Sequence, residues 1–247
     1  MPIIEPKGAQ VLMTGANGFI AISYDNKLEL FVIKDMIKEG TFDEAVKDVD
    51  AIEHMASPVI LTGIEPDEYN EPAIEGTVGI LKSALNGKVK HIIVTSSTFA
   101  IFNPVKEHTF TFDEMHWGDD YINTVKEKGK EAGPLVKYSA SKTLVERVAW
   151  DLYDKHKKQV KWDLVVLHPP FICVWHKLPP LYEVTKPDDL NVSLLVFWNM
   201  ISKDLPDESL KETYGFVDVR DISLAHVEVL KSTKAAGKRI IISSGKY

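Results

Sequence analysis

The first recognisable motif of the chain is Ala9-Gln10-Val11-Leu12-Met13-Thr14-Gly15-Ala16-Asn17-Gly18-Phe19-Ile20-Ala21. Residues 9–13 have the apolar character of a short buried strand, and the following residues contain Gly-x-x-Gly-x-x-Ala. Small residues at this spacing are typical of a strand that turns tightly into a helix, where backbone N–H groups approach a phosphate. An ordinary glycine turn can show the same pattern, so its interpretation depends on the rest of the chain.

Strand-like and helix-like segments alternate beyond this turn. Strands are predicted at 27–35, 50–58, 91–97, 162–167 and 239–242, and helices at 41–46, 71–85, 138–157, 190–201 and 222–236. Alternation with apolar strands indicates an α/β doubly wound parallel sheet of the Rossmann type. We expect residues 1–167 to form the dinucleotide-binding domain. Residues 168–247 would form a small, incomplete substrate-binding part interleaved with the last strands, and 100–134 a long loop that walls the site.

The link after the glycine turn is unusually short. Residues 22–26 alone separate Ala21 from the next predicted strand, whereas a parallel crossover with its helix needs at least about 10–12 residues. We therefore expect that residues of a longer protein are missing between Ala21 and Lys27, and beyond Tyr247. The alternative is a chain that is truly shortened and has lost its cofactor site.

A Tyr-x-x-x-Lys pair lies at the start of a predicted helix. Tyr138 and Lys142 are four residues apart and therefore share one helix face. A cation beside a phenol favours the phenolate, which lowers a tyrosine pKa from about 10 toward the range useful to a general acid. Two other pairs with this spacing begin at Tyr153 and Tyr182. The Ser96-Ser97 strand end upstream distinguishes Tyr138, and strand alternation allows only one of these serines to reach a substrate.

Composition limits the classes of function. The 247 residues are 45% hydrophobic and 26% charged, as in ordinary globular proteins. A net charge of −7 argues against nucleic acid and anionic membranes as partners. The single cysteine, Cys173, excludes an internal disulfide framework, and no histidine or acidic cluster predicts a metal site. Without a signal peptide or a membrane-length apolar run, we expect a cytoplasmic protein.

In combination, these motifs make the chain resemble the extended short-chain dehydrogenase/reductase family. Within it, the chain is most similar to the dihydroflavonol-reductase-like branch, which includes fungal NADPH-dependent carbonyl, aldehyde and methylglyoxal reductases. The matching stretches are 14–21, 34–36, 54–58, 95–97, 138–142, 169–171 and 216–221. The resemblance implies an oxidoreductase that reduces a small carbonyl compound with NADP(H), or alternatively NAD(H), as a monomer or homodimer.

The resemblance also implies roles for individual residues. Tyr138 would protonate the carbonyl oxygen, Lys142 would lower the pKa of Tyr138 and hold the nicotinamide ribose, and Ser97 would orient the oxygen. The diphosphate would lie over residues 15–20. The implied cofactor-binding residues are Gly15, Ala16, Asn17, Gly18, Phe19, Ile20, Asp35, Met36, Ala56, Ser57, Tyr138, Lys142, Pro169, Ile172 and Ser193.

Two other functions compete with carbonyl reduction. A sugar-nucleotide epimerase or dehydratase could use the same scaffold, but the apolar residues in 98–102 offer few hydrogen bonds to a sugar. A non-catalytic NAD(P)-binding regulator would fit the short link at 22–26. The presence of Ser97, Tyr138 and Lys142 favours the reductase.

Overall fold

A computed structural model describes residues 8–15, 29, 31–57, 63–103, 111–173, 186–187, 190, 192–204, 206 and 215–244. The strands are β1 (Val11–Thr14), β2 (Ala51–His54), β3 (His91–Thr95), β4 (Asp163–His168), β5 (Phe171–Cys173), β6 (Phe216–Asp218) and β7 (Arg239–Ile241). The helices are α1 (Asp67–Ala84), α2 (Asp119–Lys128), α3 (Pro134–His156), α4 (Val192–Ser202) and α5 (Val219–Leu230). Within these residues, no helix combines the length and apolarity needed to cross a membrane.

Five parallel strands form the main sheet, in the order β1-β2-β3-β4-β7. Neighbouring residues on β3 face opposite sides: Ile92 packs with α1 and α3, whereas Ile93 packs with α5. Both residues are fully buried. Helices therefore cover both faces, which confirms the predicted α/β doubly wound fold. Strands β5 and β6 form a separate parallel pair.

Helix α3 carries the predicted Tyr-x-x-x-Lys pair. It begins at Pro134, which is suited to a first helical position because that position makes no intrahelical N–H bond. The helix therefore starts one turn before Tyr138, and both Tyr138 and Lys142 lie within regular helix. Its buried residue Ala149 packs in the core with Ile92 and Val94 of β3, so the pair is held by a packed element.

Two predicted elements in the first part of the chain are wrong. Residues 31–35 are not a strand, and Phe31 and Val32 are 59% and 84% exposed, because no neighbouring strand pairs with them in the described part of the chain. The helix predicted at 41–46 is a series of turns. Phe42 and Val46 are nevertheless buried in the core. The apolar residues of this segment therefore indicated correctly that it is buried, but they did not indicate its backbone conformation.

Helix boundaries also differ from the prediction: α3 begins at Pro134 rather than Tyr138, and α5 spans Val219–Leu230 rather than 222–236. Helix α1 begins at Asp67 rather than Glu71, because the Glu68 carboxylate accepts hydrogen bonds from the Ile64 and Glu65 amides and supports an earlier start. The segment 100–134 is not entirely a loop, since it contains α2. Only Ile122 of α2 is buried, so its sequence carries no apolar stripe that predicts a helix.

Candidate active site

The carboxyl ends of the parallel strands meet at one edge of the sheet, and the predicted catalytic serine lies there. Ser97 follows β3 in extended backbone (φ −157°), and its Oγ accepts a hydrogen bond from the Phe99 amide at 3.3 Å. The next amide, of Thr98, donates to the Pro169 carbonyl at 3.1 Å. These bonds tie Ser97 to the end of β4, the usual position of ligands in such sheets.

Ser96 and Ser97 have different partners, as strand alternation predicts. Ser96 Oγ donates to the Glu146 carboxylate at 2.9 Å, away from Tyr138. Ser97, which is 7% exposed, forms a side-chain hydrogen bond with Tyr138. Ser97 is therefore the serine of the pair that reaches the phenol.

Tyr138 lies between Ser97 and an apolar wall. Its ring packs edge-on against Phe99, with the ring centroids 6.0 Å apart. Burial raises the pKa of Tyr138, and the hydrogen bond with Ser97 only partly opposes this. The prediction that Lys142 gives Tyr138 a lowered pKa is therefore wrong for this structure, because loss of water around the phenol outweighs its hydrogen bond. The phenol stays protonated at neutral pH.

Lys142 joins α3 to the end of β2. Its Nζ lies 5.5 Å from the Tyr138 ring centroid and donates a hydrogen bond to Ser57 Oγ at 2.7 Å. The side chain is buried, and burial lowers the pKa of Lys142 to about 8, although the Glu146 carboxylate acts in the opposite direction. Most of the ammonium groups therefore remain charged at neutral pH.

The glycine turn abuts the same strand end. Gly15 has a φ of +73°, and a Cβ placed there would lie 3.0 Å from the Ala56 backbone nitrogen. The Ala56 amide donates to Thr14 Oγ1 at 3.1 Å, and Thr14 Oγ1 is also hydrogen-bonded to His54 Nδ1 at 2.8 Å. Burial, followed by the nearby Lys142 charge, lowers the pKa of His54 to about 4, so this histidine is a neutral bridge.

The other predicted cofactor-binding residues lie on different elements of the fold. The Ile172 amide donates to Ser193 Oγ at 3.3 Å, which joins β5 to α4. Asp35 accepts the Ile37 amide in a local turn, and Met36 packs beside Gly76 of α1. Predicted positions Ala16, Asn17, Gly18, Phe19 and Ile20, and the short link at 22–26, lie outside the described residues.

The geometry of the described residues fits a nicotinamide dinucleotide. The turn at Gly15 has no room for a side chain and holds backbone close to Ala56, as a phosphate-binding turn requires. Ser57 and Lys142 place a hydroxyl and an ammonium between this turn and Tyr138, where sugar hydroxyls could be held. The Tyr138 phenol lies next to both the Lys142 ammonium and the Ser97 hydroxyl.

One set of residues at the site was not predicted. The carboxylate of Glu146, on α3, is buried and bonded to Ser96, His168 and Arg239. The spacing carried a signal, because Glu146 lies four residues after Lys142 and so continues the helix face of Tyr138 and Lys142. Its partners on β4 and β7 become apparent only once the sheet is formed.

The sequence matches the 3-beta hydroxysteroid dehydrogenase/isomerase family over residues 14–152. It is 33% identical over 229 residues to an oxidoreductase of Schizosaccharomyces pombe, covering 90% of this chain and 64% of that protein. It is 32% identical over 255 residues to a ketoreductase of Aspergillus niger, covering 98% of this chain and 68% of that protein. The chain thus spans about two thirds of the length of these relatives.

The fold is similar to that of yeast methylglyoxal/isovaleraldehyde reductase Gre2 complexed with NADPH. The TM-score is 0.78 at 23% identity, and the match covers 95% of this chain and 78% of that one. This likeness agrees with the parallel sheet and its covering helices. From the sequence match over more than half of its residues, the chain belongs to the 3-beta hydroxysteroid dehydrogenase/isomerase family, within the extended short-chain dehydrogenase/reductases.

Proposed function

We propose that this chain reduces an aldehyde or ketone to an alcohol with NADPH, and that Tyr138 is the general acid. One observation carries the proposal. Ser97 and Lys142 flank the Tyr138 phenol, and Lys142 is hydrogen-bonded to Ser57 beside the glycine turn. The Lys142 ammonium therefore connects the proposed proton donor, Tyr138, with Ser57, which lies beside the proposed phosphate-binding turn.

The chain's own residues supply the proton and the charge. When bound, NADPH supplies the hydride. A carbonyl that accepts hydride leaves an alkoxide, which is more basic than a phenolate and takes the Tyr138 proton. Ser97 donates a hydrogen bond to the same oxygen and orients it. The phenolate that forms is stabilised by the Lys142 ammonium, which is already in place and needs no rearrangement.

The surroundings of Tyr138 favour an apolar carbonyl compound. Phe99 packs against Tyr138 on one side, and its ring centroid lies 5.9 Å from that of Phe171 on the other. Phe171 in turn contacts Phe216 of the second sheet. These rings give apolar contact area and no hydrogen bonds to sugar hydroxyls, which favours an aldehyde or ketone over a sugar nucleotide.

The further expectations belong to the same proposal. NADP(H) is favoured over NAD(H) because Gre2, the similar yeast reductase, was solved with NADPH. We assign residues 1–167 to dinucleotide binding and 168–247 to substrate binding. The protein would act in the cytoplasm as a monomer or homodimer, and its charge of −7 gives it no attraction to nucleic acid.

The proposal is tested by following NADPH oxidation by the full-length gene product with a panel of aldehydes and ketones. We expect turnover of apolar carbonyl compounds, with NADH as a poorer donor. UDP-sugars serve as the competing substrates. Conversion of a UDP-sugar without net NADPH oxidation would indicate an epimerase, and NADPH binding without turnover of any compound would indicate a regulator.

A further inference from the structure

The Glu146 side chain is only 1% exposed, although it carries a charge. An unpaired carboxylate in such a position would be strongly destabilising, so it must have compensating partners. Oε2 accepts hydrogen bonds from Ser96 Oγ at 2.9 Å and from His168 Nε2 at 2.7 Å. Oε1 accepts from Arg239 Nε at 2.6 Å and from Trp150 Nε1 at 3.3 Å.

These partners keep the carboxylate ionised. Burial alone would raise the pKa of Glu146, but hydrogen bonding and charge from His168 and then Arg239 outweigh it and hold the pKa below its ordinary value. Arg239 is fixed independently. Its Nη1 donates to the Glu114 and His116 carbonyls at 2.6 Å each, and its guanidinium stacks 3.8 Å from the centroid of the Trp117 ring.

The network lies directly behind the proposed catalytic residues. Ser96 precedes Ser97, and His168 precedes Pro169, so two bonds from Glu146 hold the ends of β3 and β4 where the site is built. Glu146 also lies one helical turn from Lys142. The carboxylate thus connects the strand ends to the helix face that carries the ammonium.

The groups that surround Lys142 leave Glu146 as its counter-charge in the described part of the chain. On α3 the other neighbour is the protonated phenol of Tyr138, and at and beyond the end of β2 the neighbours are the neutral His54 and the Ser57 hydroxyl. His168 on β4 and Arg239 on β7 act on Glu146 from the far side. Glu146 raises the pKa of Lys142 against the effect of burial.

We propose that Glu146 is a positioning residue for carbonyl reduction, whose buried carboxylate keeps the Lys142 ammonium charged and fixes the strand ends that carry Ser97 and Pro169. The catalytic part of this inference rests on the proposed function. Its electrostatic part, the charge of Lys142, does not require any substrate to be turned over.

The test is a direct titration of Lys142 by NMR in the full-length protein labelled with [ε-13C]lysine. The Lys142 signal is assigned by its loss in Lys142→Met. We expect a midpoint near pH 8 in the wild type, where burial places it, and a lower midpoint in Glu146→Gln, which removes a nearby opposite charge. Asp151→Asn removes an exposed carboxylate from the same helix and should leave the midpoint in place.

A second variant, Arg239→Gln, should shift the Lys142 titration midpoint in the opposite direction. Arg239→Gln keeps the carboxylate but removes the cation that partly cancels its field, so the Lys142 midpoint should rise. The alkaline limb of kcat/KM should move with the midpoint in both variants. Unchanged midpoints would overturn the inference, as would failure of both variants to fold, which would assign Glu146 to stability alone. Moved midpoints in a protein that reduces no carbonyl would support the electrostatic part of the inference, and would refute the proposed function together with the catalytic part.

Discussion

Lys142 Nζ and Ser57 Oγ are 2.7 Å apart, so one hydrogen bond connects the middle of α3 with the strand end that abuts the glycine turn. The bond joins a residue of the proposed proton-donating group to one of the proposed nucleotide-holding group. A change at either end should therefore affect both cofactor affinity and turnover.

Tyr138→Phe removes the phenolic proton and keeps the ring. We expect kcat to fall roughly 10²–10⁴-fold, the usual contribution of a positioned proton donor, while NADPH affinity measured by fluorescence stays close to wild type. Tyr153→Phe, in the other Tyr-x-x-x-Lys pair of α3, is the matched control and should leave kcat unchanged. Equal losses in the two variants would contradict the assignment of Tyr138.

Substitutions of Ser96 and Ser97 should have different effects, because the two serines contact different residues. Ser97→Ala removes the hydrogen bond to Tyr138 and should lower kcat with little change in NADPH affinity. Ser96→Ala removes a donor to Glu146 and should lower the free energy of unfolding by about 1 kcal/mol, with a smaller effect on kcat. Steady-state kinetics and urea unfolding on both variants check this. A larger loss of kcat in Ser96→Ala would reverse the assignment.

The rate of reduction should depend on the charge of Lys142. Because burial lowers its pKa to about 8, the ammonium is charged below that pH, and kcat/KM should fall as the pH rises through about 8. Lys142→Met should remove this alkaline limb, reduce activity at all pH values and weaken NADPH binding. Lys155→Met, in the last turn of the same helix, is the control. An alkaline limb that persists in Lys142→Met would show that another group titrates.

Gly15→Ala tests the close approach of the turn to β2. The new Cβ would meet the Ala56 nitrogen at 3.0 Å and would also sit at a φ of +73°. Gly237→Ala shares a positive φ of +70° but meets nothing within 4 Å, so it isolates the cost of backbone strain, roughly 1–3 kcal/mol. We expect Gly15→Ala to be the more destabilising variant in urea unfolding, and the one that loses NADPH binding. Equal behaviour of the two would rule out the backbone contact as the constraint.

Glu53 and His226 are neighbouring buried titratable groups on the face of the sheet that α5 covers. Glu53 Oε1 and His226 Nδ1 are 3.9 Å apart, and both side chains are 3% exposed. Burial raises the pKa of Glu53 to about 7 and lowers that of His226 to about 4. A carboxyl group with a raised pKa stabilises the fold below its unfolded value, and this stability is lost as the pH rises toward 7.

Glu53→Gln should therefore gain stability relative to the wild type as the pH rises from 4.5 to 7, by about 1–3 kcal/mol in total. The His226 contribution has the opposite sign and is present in both proteins, so the difference between their unfolding free energies isolates Glu53. Glu228→Gln, at an exposed position on α5, is the control for the same substitution without burial. A difference between Glu53→Gln and the wild type that is independent of pH would show that Glu53 is ionised in the folded protein.

The parts of the fold that could be predicted are those with a local signal. The strand at 162–167 and helix α3 carry clear apolar patterns, and the spacing of Tyr138 and Lys142 follows from helical geometry. The start of α1 could not be predicted, because it depends on Glu68 reaching back to amides before the helix. The pKa direction of Tyr138 depends on how much water the folded chain removes, which residue spacing does not report.

The ion pair between Glu146 and Arg239 spans 93 positions of the chain. A ribosome adds about 5–20 residues per second, so several seconds pass between the synthesis of the carboxylate and that of its guanidinium partner. During that interval the Glu146 carboxylate, which the native fold buries, has His168 but not yet Arg239 as a partner, and removing one partner of a buried ion pair is strongly destabilising. The hydrogen-bond network of Glu146 therefore becomes complete only after β7 has been synthesised, and β7 is the last of the five main-sheet strands in chain order.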